Sequence, residues 1–233
     1  SSIALTALAE ADVALRLTQT VTDADGDSDS AFVDLASSDT TVDVAAFTVL
    51  DDGPDASLNG DAVTAAIATP ISLIVDETDG AQTSPSGVDN ISDRESSADF
   101  SGLFATVGAV DGNGDYGTDG AGNVAYALSL VNVSDGSSVT GISSGLSALG
   151  TNGAEGSSIK MSVESGNVVG KVGSDVYFTI SNVAGVVTFQ QADDKNIWHS
   201  DTDDANDASS IALTALAEAD VALRLTQTVT DAD

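Results

Sequence analysis

The chain has no cysteine, three prolines, one histidine, one tryptophan, and 6 lysine and arginine residues against 37 aspartate and glutamate. Each scarcity excludes something. Without cysteine there is no disulfide and no thiolate metal site, so an exported fold of this sequence needs another staple, and bound metal is the usual substitute. A formal charge of -31 removes the basic footprint that nucleic-acid binding requires and opposes attraction to anionic membrane surfaces. No run approaches the roughly 18 apolar residues of a spanning helix. Neither a nucleic-acid partner nor direct membrane insertion is expected. The opening "SSIALTALAEAD" carries no basic leader or cleavage pattern.

High charge with 4% aromatic residues is one signature of disorder. Against it, 42% of the residues are hydrophobic, and Val, Leu and Ile recur in short runs in a chain long enough to bury a core. The expectation is acidic loops on a folded apolar scaffold.

Residues 1–25, "SSIALTALAEADVALRLTQTVTDAD", recur without change at 209–233, an offset of 208. A period of that length is a whole repeated domain, too long for a solenoid unit. The expectation is one full repeat plus a 25-residue overlap from a longer tandem array. "LDDGPDASLNGD" at 50–61, punctuated by Gly53 and Pro54, reads as the linker. On that boundary, residues 1–54 are the last strands of one repeat plus linker, and 55–233 are the body of the next without its last strands. Residues 1–50 are then expected to fill that gap, within the chain or by strand exchange with a neighbour.

Period-two alternation dominates. Val13, Leu15, Leu17 and Val21 share one face, as do Ile159, Met161 and Val163. Strands are expected in "ISLIVDET", "GLFATVGAV", "VAYALSLVNV", "IKMSVESG", "NVVGKVG", "DVYFTISNV" and "GVVTFQQA", separated by turn signals such as "SGN" and "SNVAG". This predicts an all-β, antiparallel, immunoglobulin-like β-sandwich. Ala4, Leu8, Ala11 and Leu15 also fit a helical face, leaving a short helix over 3–11 open.

In "TDADGDSDS", Asp23, Asp25, Asp27 and Asp29 occupy alternate positions between two strand patterns. Two carboxylates about 6 Å apart repel by about 0.7 kcal/mol in water and about 3 kcal/mol at an effective dielectric of 20. Calcium, with six to eight hard oxygen ligands in flexible geometry, suits such a loop. The 1, 3, 5 spacing is that of an EF-hand, but Ser28 stands where its glycine belongs. "DGNGDYGTDG" repeats the logic with Asp111, Asn113, Asp115 and Asp119, and "HSDTDDAND" offers Asp201, Asp203 and Asp204. Asp207 in the same stretch, Asp76, Glu77 and Asp79 in "VDETD", and the linker's Asp51, Asp52 and Asp55 complete the candidate ligands. A solvated acidic turn explains any one cluster, since Asp, Asn and Gly favour turns without metal. Five clusters in a cysteine-free chain favour at least one bound calcium.

"GISSG" at 141–145 matches G-x-S-x-G, but that motif needs a following helix. The next residues, "LSALGTNG", are too short and glycine-broken, so the stretch reads as a turn. His199, beside Trp198, reads as a strand end packing on the core. No catalytic residue is assigned and no enzyme is expected.

"LTQTVTDADGDSDSAFVDL" followed by "FTVLDDGP" resembles the end of the long repeats in giant, calcium-dependent RTX-type adhesins that Gram-negative bacteria export by type I secretion. "YALSLVNVSDGS", "VGKVGSDVYFTISNVAGVVTF" and "IWHSDTDDANDASS" are similar to the middle of the same repeat. The resemblance covers most of 71–233 and, through the overlap, 1–54. It implies an extracellular, cell-surface extender module, rigidified by calcium. Such a module holds a distal binding domain away from the cell for adhesion or biofilm formation, with neighbouring repeats of the same chain as its partners. The alternative is a ligand-binding adhesin module for a surface glycan or peptide, with the loop at 79–99 as its site.

Overall fold

The computed structural model describes residues 15–36, 53–75, 77, 94–108, 114–199 and 220–232. The chain divides into two compact units, Ser1–Gly53 and Pro54–Asp233.

In the first unit, β1 (Leu15–Thr22) and β2 (Ser28–Ala36) form an antiparallel hairpin. Threonine, valine and phenylalanine suit a pleated strand. The connection is short, with Gly26 at φ 102 providing a backbone that other residues rarely adopt. Leu17, Val21 and Phe32 are exposed, and the Arg16 guanidinium lies 3.6 Å above the Phe32 ring. The 3–11 segment and Val13 lie outside the described residues.

The second unit is an all-β sandwich. It opens with α1 (Gly60–Ala68), which Asn59 caps by accepting a hydrogen bond from the Ala62 amide. A six-stranded antiparallel sheet follows, in the order β3-β9-β8-β7-β6-β5. Its members are β3 (Glu95–Asp99), β5 (Ile142–Leu149), β6 (Glu155–Glu164), β7 (Asn167–Val172), β8 (Asp175–Val183) and β9 (Val186–Gln191). A two-stranded sheet pairs β4 (Ala121–Asn132) with β10 (Val221–Asp231). Between the layers lie Leu128 and Leu130 of β4, Val221 of β10, Ile159 and Met161 of β6, Val168 of β7, and Phe178 and Ile180 of β8.

The alternation read in β6 and β8 is the burial pattern of those strands, with Ile159 and Met161, and Phe178 and Ile180, buried at every second position, since successive side chains point to opposite faces; in β7 Val168 and Val169 are buried in succession. The two-residue turns also follow the sequence. Ser165 and Gly166 join β6 to β7, and Ala184 and Gly185 join β8 to β9, all at positive φ, as the hairpin turns that match strand twist require.

Four expectations are corrected. "GISSGLSAL" is not a turn but edge strand β5, with Ser144, Leu146 and Ala148 buried in alternation. The Ser144 hydroxyl is satisfied by donating to the Ile159 carbonyl at 2.8 Å. The described part of "GLFATVGAV", 102–108, contributes to a single 3-10 turn, Ser101–Leu103, and to isolated bridges at Phe104 and Gly108. The described part of "ISLIVDET" carries no strand, although Leu73 packs on the core. The end of the supposed linker is already helical from Gly60.

Candidate metal centre

The loop between β1 and β2 is closed by its own backbone and by Asp23. The Asp23 amide donates to the Asp27 carbonyl at 2.9 Å. The Asp23 Oδ1 accepts from the Gly26 amide at 3.1 Å and the Asp27 amide at 2.9 Å. These bonds turn the loop back on itself and draw together three side chains that stand at alternate positions of the sequence. One carboxylate oxygen each from Asp23, Asp25 and Asp27 lies within 4.8 Å of the others, all exposed to solvent. A hard cation with bonds of about 2.4 Å spans ligand oxygens up to about 5 Å apart. The three aspartates therefore fit a single metal ion.

The Asp23 carboxyl is held below the usual 3.8, first by a hydrogen bond with the Asp25 side chain and then, against some desolvation, by the backbone amides of Asp27, Gly26 and Asp25. It stays ionised into mild acid, the state in which a carboxylate ligates metal. Asp29 is not part of this group. It stands in β2 with its Oδ1 accepting from the Ser30 amide at 2.9 Å.

The other candidates are placed differently. Asp115 exchanges backbone hydrogen bonds with Asp55, at 3.0 and 3.1 Å, so a residue from the linker and one from the "DGNGDYGTDG" loop form one bridge. The Asp115 Oδ1 accepts from the Gly117 amide at 3.1 Å, and the Asp55 Oδ2 accepts from Gly114 at 3.3 Å. Asp119 lies in the exposed turn before β4. Asp51, Asp52, Asp76, Asp111, Asn113, Asp201, Asp203, Asp204 and Asp207 lie outside the described residues, as do 78–93 of the candidate ligand loop, with Asp79. The rest of that loop is Arg94 and edge strand β3.

Glu77 faces the protein. Its Oε1 accepts from the Ile197 amide at 2.6 Å and from Gln191 Nε2, and its Oε2 lies 3.9 Å from His199 Nε2. Arg94 donates to the carbonyls of Glu77 at 2.9 Å, Ala192 at 3.2 Å and Lys195 at 3.3 Å. Together they tie the segment after β9 to the edge of the sheet. Sequence reasoning missed this cluster, and its one signal was a rare arginine in an acidic chain. Glu77→Ala strips the Ile197 amide of its acceptor and is expected to cost about 1–3 kcal/mol, read as a lower urea midpoint. Glu77→Gln retains an acceptor oxygen and recovers most of the loss.

Ser143, the serine of "GISSG", pairs its hydroxyl with Ser158 at 3.1 Å and accepts from the Gly145 amide at 3.2 Å. It sits in strand β5 and not on a strand-to-helix elbow. Among the described residues, no helix is long and apolar enough to cross a membrane.

Residues 72–233, more than half of the chain, match the family model described as a domain of unknown function, DUF5801. The chain belongs to the DUF5801 family. Neither a curated protein nor a solved structure matches it. The DUF5801 match takes in both sheets of the sandwich, while α1 and the β1–β2 hairpin precede it. The aspartate loop is thus outside the matched segment, yet the same "TDAD" recurs inside it at 230–233.

Proposed function

We propose that this DUF5801 chain is a non-enzymatic, calcium-stabilised spacer module of a large RTX-type bacterial surface adhesin, extracellular and repeated in tandem. The observation that carries the reading is the convergence of Asp23, Asp25 and Asp27 at one hairpin tip, the first two of them at the end of a stretch, 1–25, that the chain repeats unchanged 208 residues on. Strict repetition suits a spacer whose copies do the same mechanical job. The acidic surface, at -31 overall, keeps such copies from clumping. Calcium would be held by the three aspartates, with backbone carbonyls and water completing its shell. Its chemistry here is charge neutralisation: it offsets the carboxylate repulsion, and because it binds only the closed loop its binding free energy is added to folding.

Calorimetric titration of calcium into the chain, with magnesium as control, tests the assignment. Affinities of about 0.1–1 mM are typical of extracellular modules. Asp25→Asn/Asp27→Asn is expected to remove one calcium from the stoichiometry. An unchanged stoichiometry contradicts the loop as a site. The pH dependence has a defined sign. Asp23 titrates lower in the folded chain than in the unfolded one, so its contribution is present above the unfolded value and lost as pH falls through the folded value. Calcium competes with those same protons, so affinity is expected to be flat above about pH 5 and to fall below it.

A further inference from the structure

Three asparagines of the chain are followed by glycine, in the pairs Asn59–Gly60, Asn113–Gly114 and Asn152–Gly153. Asparagine is thermolabile, and most so before glycine. The backbone nitrogen of the next residue can attack the side-chain amide carbon, and glycine has no Cβ to obstruct the approach. The fold treats the three pairs differently.

Asn59 is clamped. Its Oδ1 accepts from the Ala62 amide at 3.2 Å as the cap of α1, and its Nδ2 donates to the Gly102 carbonyl at 3.3 Å. Both bonds must break before its Cγ can turn to the Gly60 nitrogen. At the second pair it is the nucleophile that is engaged, because the Gly114 amide donates to Asp55 Oδ2 at 3.3 Å. Space is short there too, with Ala105 Cβ and the Thr106 carbonyl oxygen 3.2 and 3.4 Å from where a Cβ on Gly114 would stand.

Asn152 has neither restraint. It is exposed in the turn between β5 and β6, at φ 61 and ψ 30, with Gly153 at φ 76, the positive angles for which two-residue turns select Asn-Gly. Its side chain makes no hydrogen bond to any described residue, and no atom lies within 4 Å of where a Cβ on Gly153 would stand.

We propose that Asn152 is a site of spontaneous covalent modification, converting to aspartate and isoaspartate in the folded chain. The Gly153 nitrogen bonds to Asn152 Cγ, the Cγ–Nδ2 bond breaks, and ammonia leaves with the proton that the Gly153 nitrogen carried. Water then opens the cyclic imide at one of its two carbonyl carbons. Opening at Cγ gives aspartate. Opening at the backbone carbonyl gives isoaspartate, whose main chain runs through the side-chain carbon. Either product adds one negative charge, and water is the only co-reactant.

The two products differ in what the turn can hold. Aspartate tolerates the left-handed backbone of position 152 as asparagine does. Isoaspartate lengthens the main chain by one carbon inside a turn closed by the Gly150 amide on the Ala154 carbonyl at 2.8 Å and the Ala154 amide on the Thr151 carbonyl at 3.4 Å. That turn has little slack, since a Cβ on Gly150 would stand 2.8 Å from the Ala154 oxygen. Isoaspartate therefore loosens the junction that holds edge strand β5 to β6.

The full-length chain, aged at mildly alkaline pH either folded or unfolded in urea and then mapped by peptide mass, tests the assignment. In urea Asn59 and Asn152 are expected to convert at similar rates. In the folded chain Asn152 is expected to convert and Asn59 to lag it at least about tenfold, the factor for first breaking two hydrogen bonds. Asn152→Gln, whose longer side chain cannot close the five-membered ring, is expected to remove the modified peptide. Asn152→Asp, which is the aspartate product made directly, is expected to keep the urea midpoint of the parent, and the aged chain to fall below it. Asn152 intact in the folded chain while it converts in urea overturns the proposal, and so does Asn59 keeping pace with it in the folded chain.

Discussion

Phe178→Ala is expected to remove about 3–5 kcal/mol of stability from the sandwich, the range for deleting a large buried aromatic side chain. Phe178 is fully buried in β8, which runs between β7 and β9. Its ring meets Phe189 of β9 edge-to-face, with centroids 5.5 Å apart and planes at 67°, and lies over Gly170 of β7. Alanine would leave a cavity bounded by paired strands on both sides, which cannot collapse without breaking ladder bonds. A urea midpoint shifted down with an unchanged slope is the expected result. A loss below about 1 kcal/mol would mean that the core lies elsewhere.

Gly170→Val is the opposite experiment at the same contact. A Cβ on Gly170 would stand 2.3, 2.4 and 2.7 Å from Phe178 Cε1, Cζ and Cδ1, closer than real atoms approach. The strain is not a matter of backbone conformation, since Gly170 is not among the glycines at positive φ. It is a matter of space, and a fully buried ring has nowhere to move. The expected cost is about 1–3 kcal/mol or more. In the double variant Gly170→Val/Phe178→Ala, the valine methyls occupy part of the hole that the ring leaves. The combined loss should therefore fall short of the sum, with a coupling of about 0.5–3 kcal/mol. Strict additivity would contradict the cross-strand contact.

The strands that are legible in the sequence are those whose own side chains build the core. "DVYFTISNV" coincides with β8 residue for residue, because alternating Val, Phe and Ile both favour a strand and fill the sandwich. The strands that are not legible take their stability from neighbours. β3, "ESSAD", has no large apolar residue and exists through its ladder with β9. In β5 the buried alternation of Ser144, Leu146 and Ala148 is present, but the glycines at 141 and 145 read as turns. In the structure Gly141 precedes the strand, and Gly145 lies within an irregular register between Ser143 and Leu149. The opposite error has the same source. "ISLIVDET" is apolar enough to be a strand, yet Leu73 reaches the core from an irregular segment.

The site divides similarly. The hairpin tip is local, so the spacing of Asp23, Asp25 and Asp27 already contains it, and only Asp29 is placed differently. The Asp55–Asp115 bridge joins residues 60 positions apart, and the Glu77 cluster joins segments more than 100 positions apart. No local spacing encodes contacts of that range.

The central claim is that calcium makes a repeated sandwich into a stiff spacer, and small-angle scattering of a two-repeat tandem of this sequence tests it most directly. At free calcium about 100 times the dissociation constant, each occupied site adds about 2.7 kcal/mol to the ordered form. The account predicts a longer maximum dimension and a narrower distance distribution in calcium than in chelator, with magnesium resembling chelator. Identical profiles in calcium and chelator would contradict it.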